Sequence, residues 1–351
     1  MNNYFCVLPY FSYELNMAHK GNMYCCKLAP GADIAEIRKS IQNKQRAPEC
    51  SECWKLEDSG LPSERIIHNS TFDYLIDRDI DKIEEDAIAG QHSSKIIKLH
   101  TSNICNGTCV TCGSKTSSAW AALENDNRFP YKIAPDTELD HLNWAEIVQL
   151  SFVGGEPLLE KKNLEILKHL IEVNNTDCFI SFVTNGSIEL SDAQRSLLSQ
   201  FKNLNICLSI DGVGPVFEYM RYPLSWDKLI NNLKFFKSIT SEVSVSCMIS
   251  NLNVLYYSNL LDFFKQENLK YICRPITMPE CFNPNNLPKY VKEKILLANT
   301  KYHHEVAHFL NDPSSTATID ELFLEVSRQD KLKNININDY LPGFIELFKD
   351  I

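Results

Sequence analysis

Lys95-Ile96-Ile97-Lys98-Leu99-His100-Thr101 is a short isoleucine-rich run, and after three intervening residues stands Cys105-Asn106-Gly107-Thr108-Cys109-Val110-Thr111-Cys112. The run predicts a strand, and the cysteine-rich segment a loop at that strand's C-terminal end. Five more runs of the same kind follow, over Glu146–Val153, Cys178–Thr184, Asn205–Ile210, Val243–Ile249 and Tyr271–Ile276. Amphipathic patterns alternate with them over Ser117–Glu124, Lys161–Asn174, Ser191–Gln200, Ser225–Ser238 and Leu255–Gln266. Strand and helix in strict alternation predict an α/β fold of repeated β/α units on a parallel sheet. In parallel barrels the chemistry gathers on the loops after strand C-termini, so those loops are where functional residues are sought.

Residues 1–67 have another character: two cysteine groups, few periodic runs and many turn residues, predicting a separate metal-organised module. Residues 68–94, with Asp77-Arg78-Asp79-Ile80-Asp81-Lys82, predict a polar helical connector; 95–284 hold the β/α units. Residues 285–351 predict a helical extension with a loop at Asp312-Pro313-Ser314-Ser315. The 351 residues carry 45 Asp and Glu against 35 Lys and Arg, so the overall field does not steer the chain onto nucleic-acid phosphates. No apolar run reaches the roughly 18 residues of a membrane span, and the N-terminus lacks an export signal, which predicts a cytoplasmic protein. Thirteen cysteines without an export signal argue for metal or cluster ligation over a disulfide framework. Cys178, Cys207 and Cys247 lie in apolar runs and are expected in the core.

The loop Cys105–Cys112 has the spacing C-x3-C-x2-C. Three thiolates on one loop can each bind an iron of a 4Fe-4S cube and leave the fourth iron open. A zinc site completed by His100 or a distant cysteine is the alternative, since structural zinc takes four protein ligands. The second strand run ends in Phe152-Val153-Gly154-Gly155-Glu156-Pro157, the third in Thr184-Asn185-Gly186, and the fourth in Ser209-Ile210-Asp211-Gly212, with Arg221 following. This set resembles the radical S-adenosylmethionine (SAM) superfamily. The resemblance implies a partial (β/α)6 TIM barrel in which Cys105, Cys109 and Cys112 ligate the cluster. It implies further that Gly154, Gly155 and Glu156 meet the SAM amino group, and that Ser209 and Arg221, with Asn185 and Asp211, handle its ribose and carboxylate. Glycines suit a close backbone approach, and the Arg fork suits a carboxylate. The implied chemistry is reductive cleavage of SAM to a 5′-deoxyadenosyl radical that takes hydrogen from a substrate, with a flavodoxin or ferredoxin as electron donor. Thr111 departs from the family, where a large or aromatic residue usually precedes the third cysteine near the adenine.

Cys6, Gly21, Cys25-Cys26 and Cys50-Ser51-Glu52-Cys53 resemble the SPASM or twitch auxiliary-cluster modules of the same superfamily, here placed ahead of the barrel. The resemblance implies a second 4Fe-4S cluster on Cys6, Cys26, Cys50 and Cys53; Cys25 and Cys26 are adjacent, and the glycine spacing favours Cys26. A zinc ribbon fits the same four cysteines. Such modules accompany peptide or protein substrates, which is the first expectation; a small molecule such as a sugar or nucleotide is the second, and a non-catalytic cluster- or zinc-binding scaffold the third. Cys247, Cys273 and Cys281 sit on or after late strands, where a thiol can return hydrogen to a substrate radical. His304-Glu305-Val306-Ala307-His308 matches the zinc-peptidase pattern H-E-x-x-H. At about 100° per residue, Val306, Phe309 and Leu310 form the apolar stripe and both histidines fall opposite it, so a solvated helix face is expected.

Overall fold

The computed structural model describes residues 4–16, 24–25, 27–28, 31–76, 80–129, 133, 135–311 and 317–349. It contains seven parallel strands that follow one another in chain order. They are β1 Ser12–Asn16, β2 Ile96–His100, β3 Gln149–Phe152, β4 Phe179–Thr184, β5 Leu204–Ser209, β6 Glu242–Ile249 and β7 Lys270–Pro275. The six predicted strands are all present, with ends shifted by at most three residues. The chain forms two compact units. One comprises Met1–Asn103, Lys132–Phe182 and Asp192–Leu204; the other comprises Ile104–Tyr131, Val183–Ser191 and Asn205–Ile351.

In the first unit β1 pairs with β2, β2 with β3 and β3 with β4. Because side chains alternate along a strand, the registers Ile97↔Leu150↔Ile180 and Leu99↔Phe152↔Phe182 stack six fully buried residues on one face. The helix Lys161–Glu172 of the same unit buries Ile166, Leu167 and Leu170. β1 is absent from the sequence reading because Ser-Tyr-Glu-Leu-Asn shows no β-branched run. Tertiary charge holds it: Glu14 lies opposite Lys98, and its carboxylate is 3.1 Å from Lys98 Nζ and 3.4 Å from His100 Nε2. Burial works against that carboxylate, yet His100 and Lys98 outweigh it and hold the group below the usual range.

The first residues of this unit build their own apolar cluster from Phe5, Val7, Tyr10, Phe11, Ile37 and Ile41. Helices run over Glu64–Ile76 and Ile80–Ile88, and their Phe72, Ile83 and Ala87 bury into that cluster. Asn69 secures it by donating to Phe5 O and accepting from Val7 N, both at 2.9 Å.

In the second unit β5 pairs with β6 and β6 with β7, in register Cys207↔Ser244 and Cys247↔Cys273. Cys178 and Cys247 are buried as expected, whereas Cys207 is only half-buried because the period of two turns it to the opposite face from Ile206 and Leu208. The extension is helical over Lys289–Ala298, His303–Leu310 and Ile319–Lys333, the last opened by a capping box of Thr318 and Glu321. The loop expected at Asp312-Pro313-Ser314-Ser315 lies outside the described residues. Among the described residues no helix is long and apolar enough to cross a membrane.

Asn299 pins the extension to the last barrel helix, Tyr257–Gln266. Its amide donates to Ile295 O (2.9 Å) and Leu255 O (3.1 Å), and its carbonyl accepts from Ser258 N (2.9 Å) and Ser258 Oγ (2.8 Å). Fully buried, it leaves these backbone groups unsatisfied when removed, so Asn299→Ala is expected to cost about 2–3 kcal/mol in denaturant unfolding. A loss under about 0.5 kcal/mol would show that the extension is held by apolar packing alone.

Candidate cluster and cofactor site

The segment Cys105–Cys112 is a loop in the second unit, ended by the helix Ser118–Glu124. Ser117 caps that helix by accepting from Trp120 N, and its hydroxyl also donates to Gly107 O at 2.7 Å. The three sulfurs have separate partners: Gly107 N donates to Cys105 Sγ (3.4 Å), Thr116 Oγ1 lies 3.0 Å from Cys112 Sγ, and Arg221 Nη1 donates to Cys109 Sγ (3.9 Å). Cys112 is exposed and the other two are half-buried. A Cβ at Gly107 would stand 3.3 Å from Cys109 Sγ, so the loop is closed tightly there.

Arg221 reaches Cys109 because two backbone bonds run its turn alongside the loop. Thr108 N donates to Tyr222 O at 2.6 Å and Val110 N to Met220 O at 2.8 Å, flanking both residues. Asp211 fixes the guanidinium: Oδ2 is 2.7 Å from Arg221 Nη2, while Oδ1 accepts from Met248 N at 2.8 Å. Asn253 in turn donates to Asp211 O at 2.8 Å. Burial opposes the charge on Arg221, and Asp211 followed by the cysteine thiolates raises its pKa regardless. Its Nε is buried and bonded to none of the described residues. Burial pushes the Cys109 thiol up to about 12, Arg221 pulling against it and Cys112 and Cys105 adding to it. A cubane takes these sulfurs as thiolates, so Arg221 supplies the compensating charge at the most buried of the three.

Asn185 and Ser209 fall in the same unit. The Asn185 amide donates to Asn106 Oδ1 at 2.8 Å, Asn106 donates to Ser187 Oγ at 3.2 Å, and Ser187 returns to Asn185 Oδ1 at 2.8 Å. This ring braces the loop between Cys105 and Cys109. Ser209 is half-buried at the end of β5, in register with Ser246.

A further layer went unnoticed in the sequence. Trp120 Nε1 donates to Cys109 O (2.9 Å), Gln329 Nε2 donates to Val110 O (2.9 Å), and Lys333 Nζ lies 4.7 Å from the Trp120 ring centroid. Burial lowers the pKa of Lys333 to about 8, with Cys109, Asp330 and Glu325 opposing that fall. The polar i,i+4 pair Gln329 and Lys333 was the available signal, but on a solvated helix it reads as surface.

Gly154, Gly155 and Glu156 belong to the first unit. Gly154 has φ +121°, and a Cβ there would stand 2.9 Å from Ser102 O, which requires glycine. Glu156 is buried and accepts from Leu158 N at 3.1 Å. The turn is tied back by Asn163, whose amide donates to Pro157 O (2.9 Å) and whose carbonyl accepts from Thr101 Oγ1 (2.7 Å).

Also in the first unit, a cavity is lined by Cys6, Cys25, Cys50, Cys53, Trp54 and Arg65, with Leu8 and Ile41 beside them. Cys26 lies outside the described residues; its neighbour Cys25 is the one on the cavity wall. Burial pushes the Cys6 thiol up to about 12 and Cys50 up to about 11. Arg65, ion-paired with Glu57 and 4.9 Å from the Trp54 ring, donates to Phe5 O at 3.0 Å and anchors the segment bearing Cys6. Among the described residues no His, Cys, Asp and Glu side chains converge tightly enough for a single metal ion.

His304 and His308 are exposed on His303–Leu310 while Val306, Phe309 and Leu310 are buried, which is the solvated face expected of the H-E-x-x-H segment.

Residues 99–264 match the Radical SAM superfamily. Uncharacterized protein MJ0907 of Methanocaldococcus jannaschii is 22% identical over 190 residues, 53% of this chain and 64% of that protein. Among solved structures, anSMEcpe with bound AdoMet has a TM-score of 0.44 at 20% identity, covering 63% of this chain and 60% of that one. SuiB of Streptococcus suis bound to precursor peptide SuiA has a TM-score of 0.43 at 13% identity, covering 94% and 78%. The chain thus spans less than two thirds of MJ0907 and of that anSMEcpe chain. The matched segment contains the cysteine loop, the glycine turn and Arg221, and over that segment, just under half of its length, the chain is similar to the radical SAM superfamily.

Proposed function

We propose that this chain cleaves SAM reductively at a 4Fe-4S cluster on Cys105, Cys109 and Cys112 and acts on a peptide or protein. The observation that carries the reading is the paired backbone contact that sets Arg221 against Cys109. It joins a thiol loop to a buried cation with an open Nε, and both lie inside the family match. When bound, the cluster supplies the low-potential electron for the sulfonium C–S bond. The chain's own residues bind and orient: Gly154 and Gly155 offer backbone without a Cβ, Glu156 an acceptor for an ammonium, and Arg221 a donor for a carboxylate. Ser209 stands at the end of β5 for the ribose. Asn185 and Asp211 act on the loop and on Arg221, as their hydrogen bonds indicate.

A second 4Fe-4S cluster is proposed for the cavity of Cys6, Cys50 and Cys53, with either Cys26 or its neighbour Cys25, which lines the cavity, as fourth ligand. A polypeptide substrate is favoured by β7, the last strand of its unit, which exposes Tyr271 and Ile272 on opposite faces. An extended segment can pair with such an edge. A flavodoxin or ferredoxin would deliver the electron.

Anaerobically reconstituted protein treated with dithionite and SAM is expected to release 5′-deoxyadenosine, and C105A/C109A/C112A to release none. Zinc in place of iron at those thiols, or intact SAM after reduction, would defeat the reading. Asn185→Ala leaves the loop brace unpaired, and cluster loss to a chelator is expected to quicken about fivefold, followed by the decay of visible absorbance. For the second cluster, one of C25A and C26A is expected to lower iron from about eight to about four per chain while the other leaves it unchanged, which assigns the fourth ligand; iron unchanged in both would remove the pair from the ligand set.

A further inference from the structure

Lys333 closes the helix Ile319–Lys333 and is 6% exposed. A buried ammonium is costly unless an anion faces it. Its Nζ donates to Gln329 Oε1 at 2.8 Å, a neutral acceptor, and among the described residues no carboxylate stands within ion-pair distance of it. The carboxylates around it are engaged elsewhere. Asp330 accepts from Tyr219 Oη (2.8 Å) and Ile337 N (2.8 Å), and Glu325 from Arg328 Nη2 (2.6 Å) and Gln329 Nε2 (2.8 Å). Arg328, its guanidinium carbon 5.8 Å from the Trp120 ring centroid, adds positive charge to the same neighbourhood.

What Lys333 does face is the cysteine loop. It lies on the Trp120 ring whose Nε1 holds Cys109 O, and its partner Gln329 holds Val110 O. Lys333 and Gln329 therefore bracket the Cys109–Val110 peptide from the side of the C-terminal extension. Arg221 meets Cys109 Sγ directly and is itself ion-paired with Asp211, so Lys333 is a second cation beside the loop and one without a carboxylate of its own.

We propose that the counter-charge of Lys333 is the anionic thiolate-bound cluster itself, and that Lys333 is a positioning residue that raises the reduction potential of that cluster. The proposal rests on the cluster assignment to Cys105, Cys109 and Cys112. A positive charge held in low dielectric one indole ring from a ligand favours the reduced, more negative cluster. The extension thereby sets a property of the site without touching iron.

The test is an EPR-monitored redox titration of the reconstituted full chain, the relevant signal being the one lost in C105A/C109A/C112A. Lys333→Met is expected to raise the oxidised-to-reduced ratio at a given potential about tenfold, a shift of about 59 mV to lower potential for one electron. Lys333→Arg is expected to stay within about twofold of the parent. Gln329→Glu keeps the lysine and its ring contact but gives it a carboxylate partner, and is expected to move the ratio in the same direction as Lys333→Met. Gln329→Glu decides the matter where Lys333→Met does not fold. A ratio unmoved in a fully iron-loaded Gln329→Glu or Lys333→Met protein overturns the proposal and leaves the cluster assignment standing. Parent protein with no iron and no such signal overturns both.

Discussion

Two backbone hydrogen bonds, Thr108 N to Tyr222 O and Val110 N to Met220 O, are the constraint on which the site in the second unit depends. They lay the cysteine loop and the turn after Pro215–Met220 side by side, so that Cys109 and Arg221 face one another at the middle of the pair. Every other feature there is subordinate to that alignment. Asp211 keeps Arg221 charged in a buried position, Asn253 and Met248 keep Asp211 in place, and the Asn106–Asn185–Ser187 ring keeps the loop from opening on the opposite side. A guanidinium without Asp211 would pay an uncompensated desolvation cost, and a loop without the ring would hold its sulfurs poorly.

What was legible in the sequence was whatever spacing and period encode. C-x3-C-x2-C, Gly154-Gly155 and the six β-branched runs are local signals, and the strands formed within a few residues of their expected ends. β1 was illegible because its buried Glu14 is made tolerable only by Lys98 and His100 on the neighbouring strand. Asn69, Asn163 and Asn299 escaped for the same reason: each looks like a surface amide until its backbone partners close around it from distant segments. The helical reading of residues 285–351 could not tell that Gln329 turns inward to Val110 O and that Lys333 lies on the Trp120 ring.

The cysteines of this chain occupy two contrasting environments. Those of the loop are partly exposed, each with a hydrogen-bond donor or hydroxyl at its sulfur. Cys6 and Cys53 are buried in a wall that also contains Leu8, Ile41 and Trp54, and Cys6 and Cys50 resist ionisation strongly there. Donors at sulfur and solvent exposure both raise a cluster's potential, whereas an apolar enclosure that disfavours added negative charge lowers it. The two settings differ in access to solvent: the loop leaves Cys112 exposed, whereas the cavity wall buries Cys6 and Cys53.

A buried cation also couples stability to occupancy. Lys333 is under-compensated by protein carboxylates, so the segment that carries it pays a desolvation cost whenever the neighbouring thiols are neutral. Ionised thiols repay that cost, and the repayment is shared through linkage: whatever makes the loop bind an anionic cluster more tightly also seats Ile319–Lys333 more firmly against Trp120. Asn299 holds the upstream end of the same extension by neutral hydrogen bonds that do not change with the state of the site. The extension is thus fixed at one end by satisfied polar groups and set at the other by a buried charge on the Trp120 ring beside the loop, which is how a helical appendage can respond to the charge of the loop it covers.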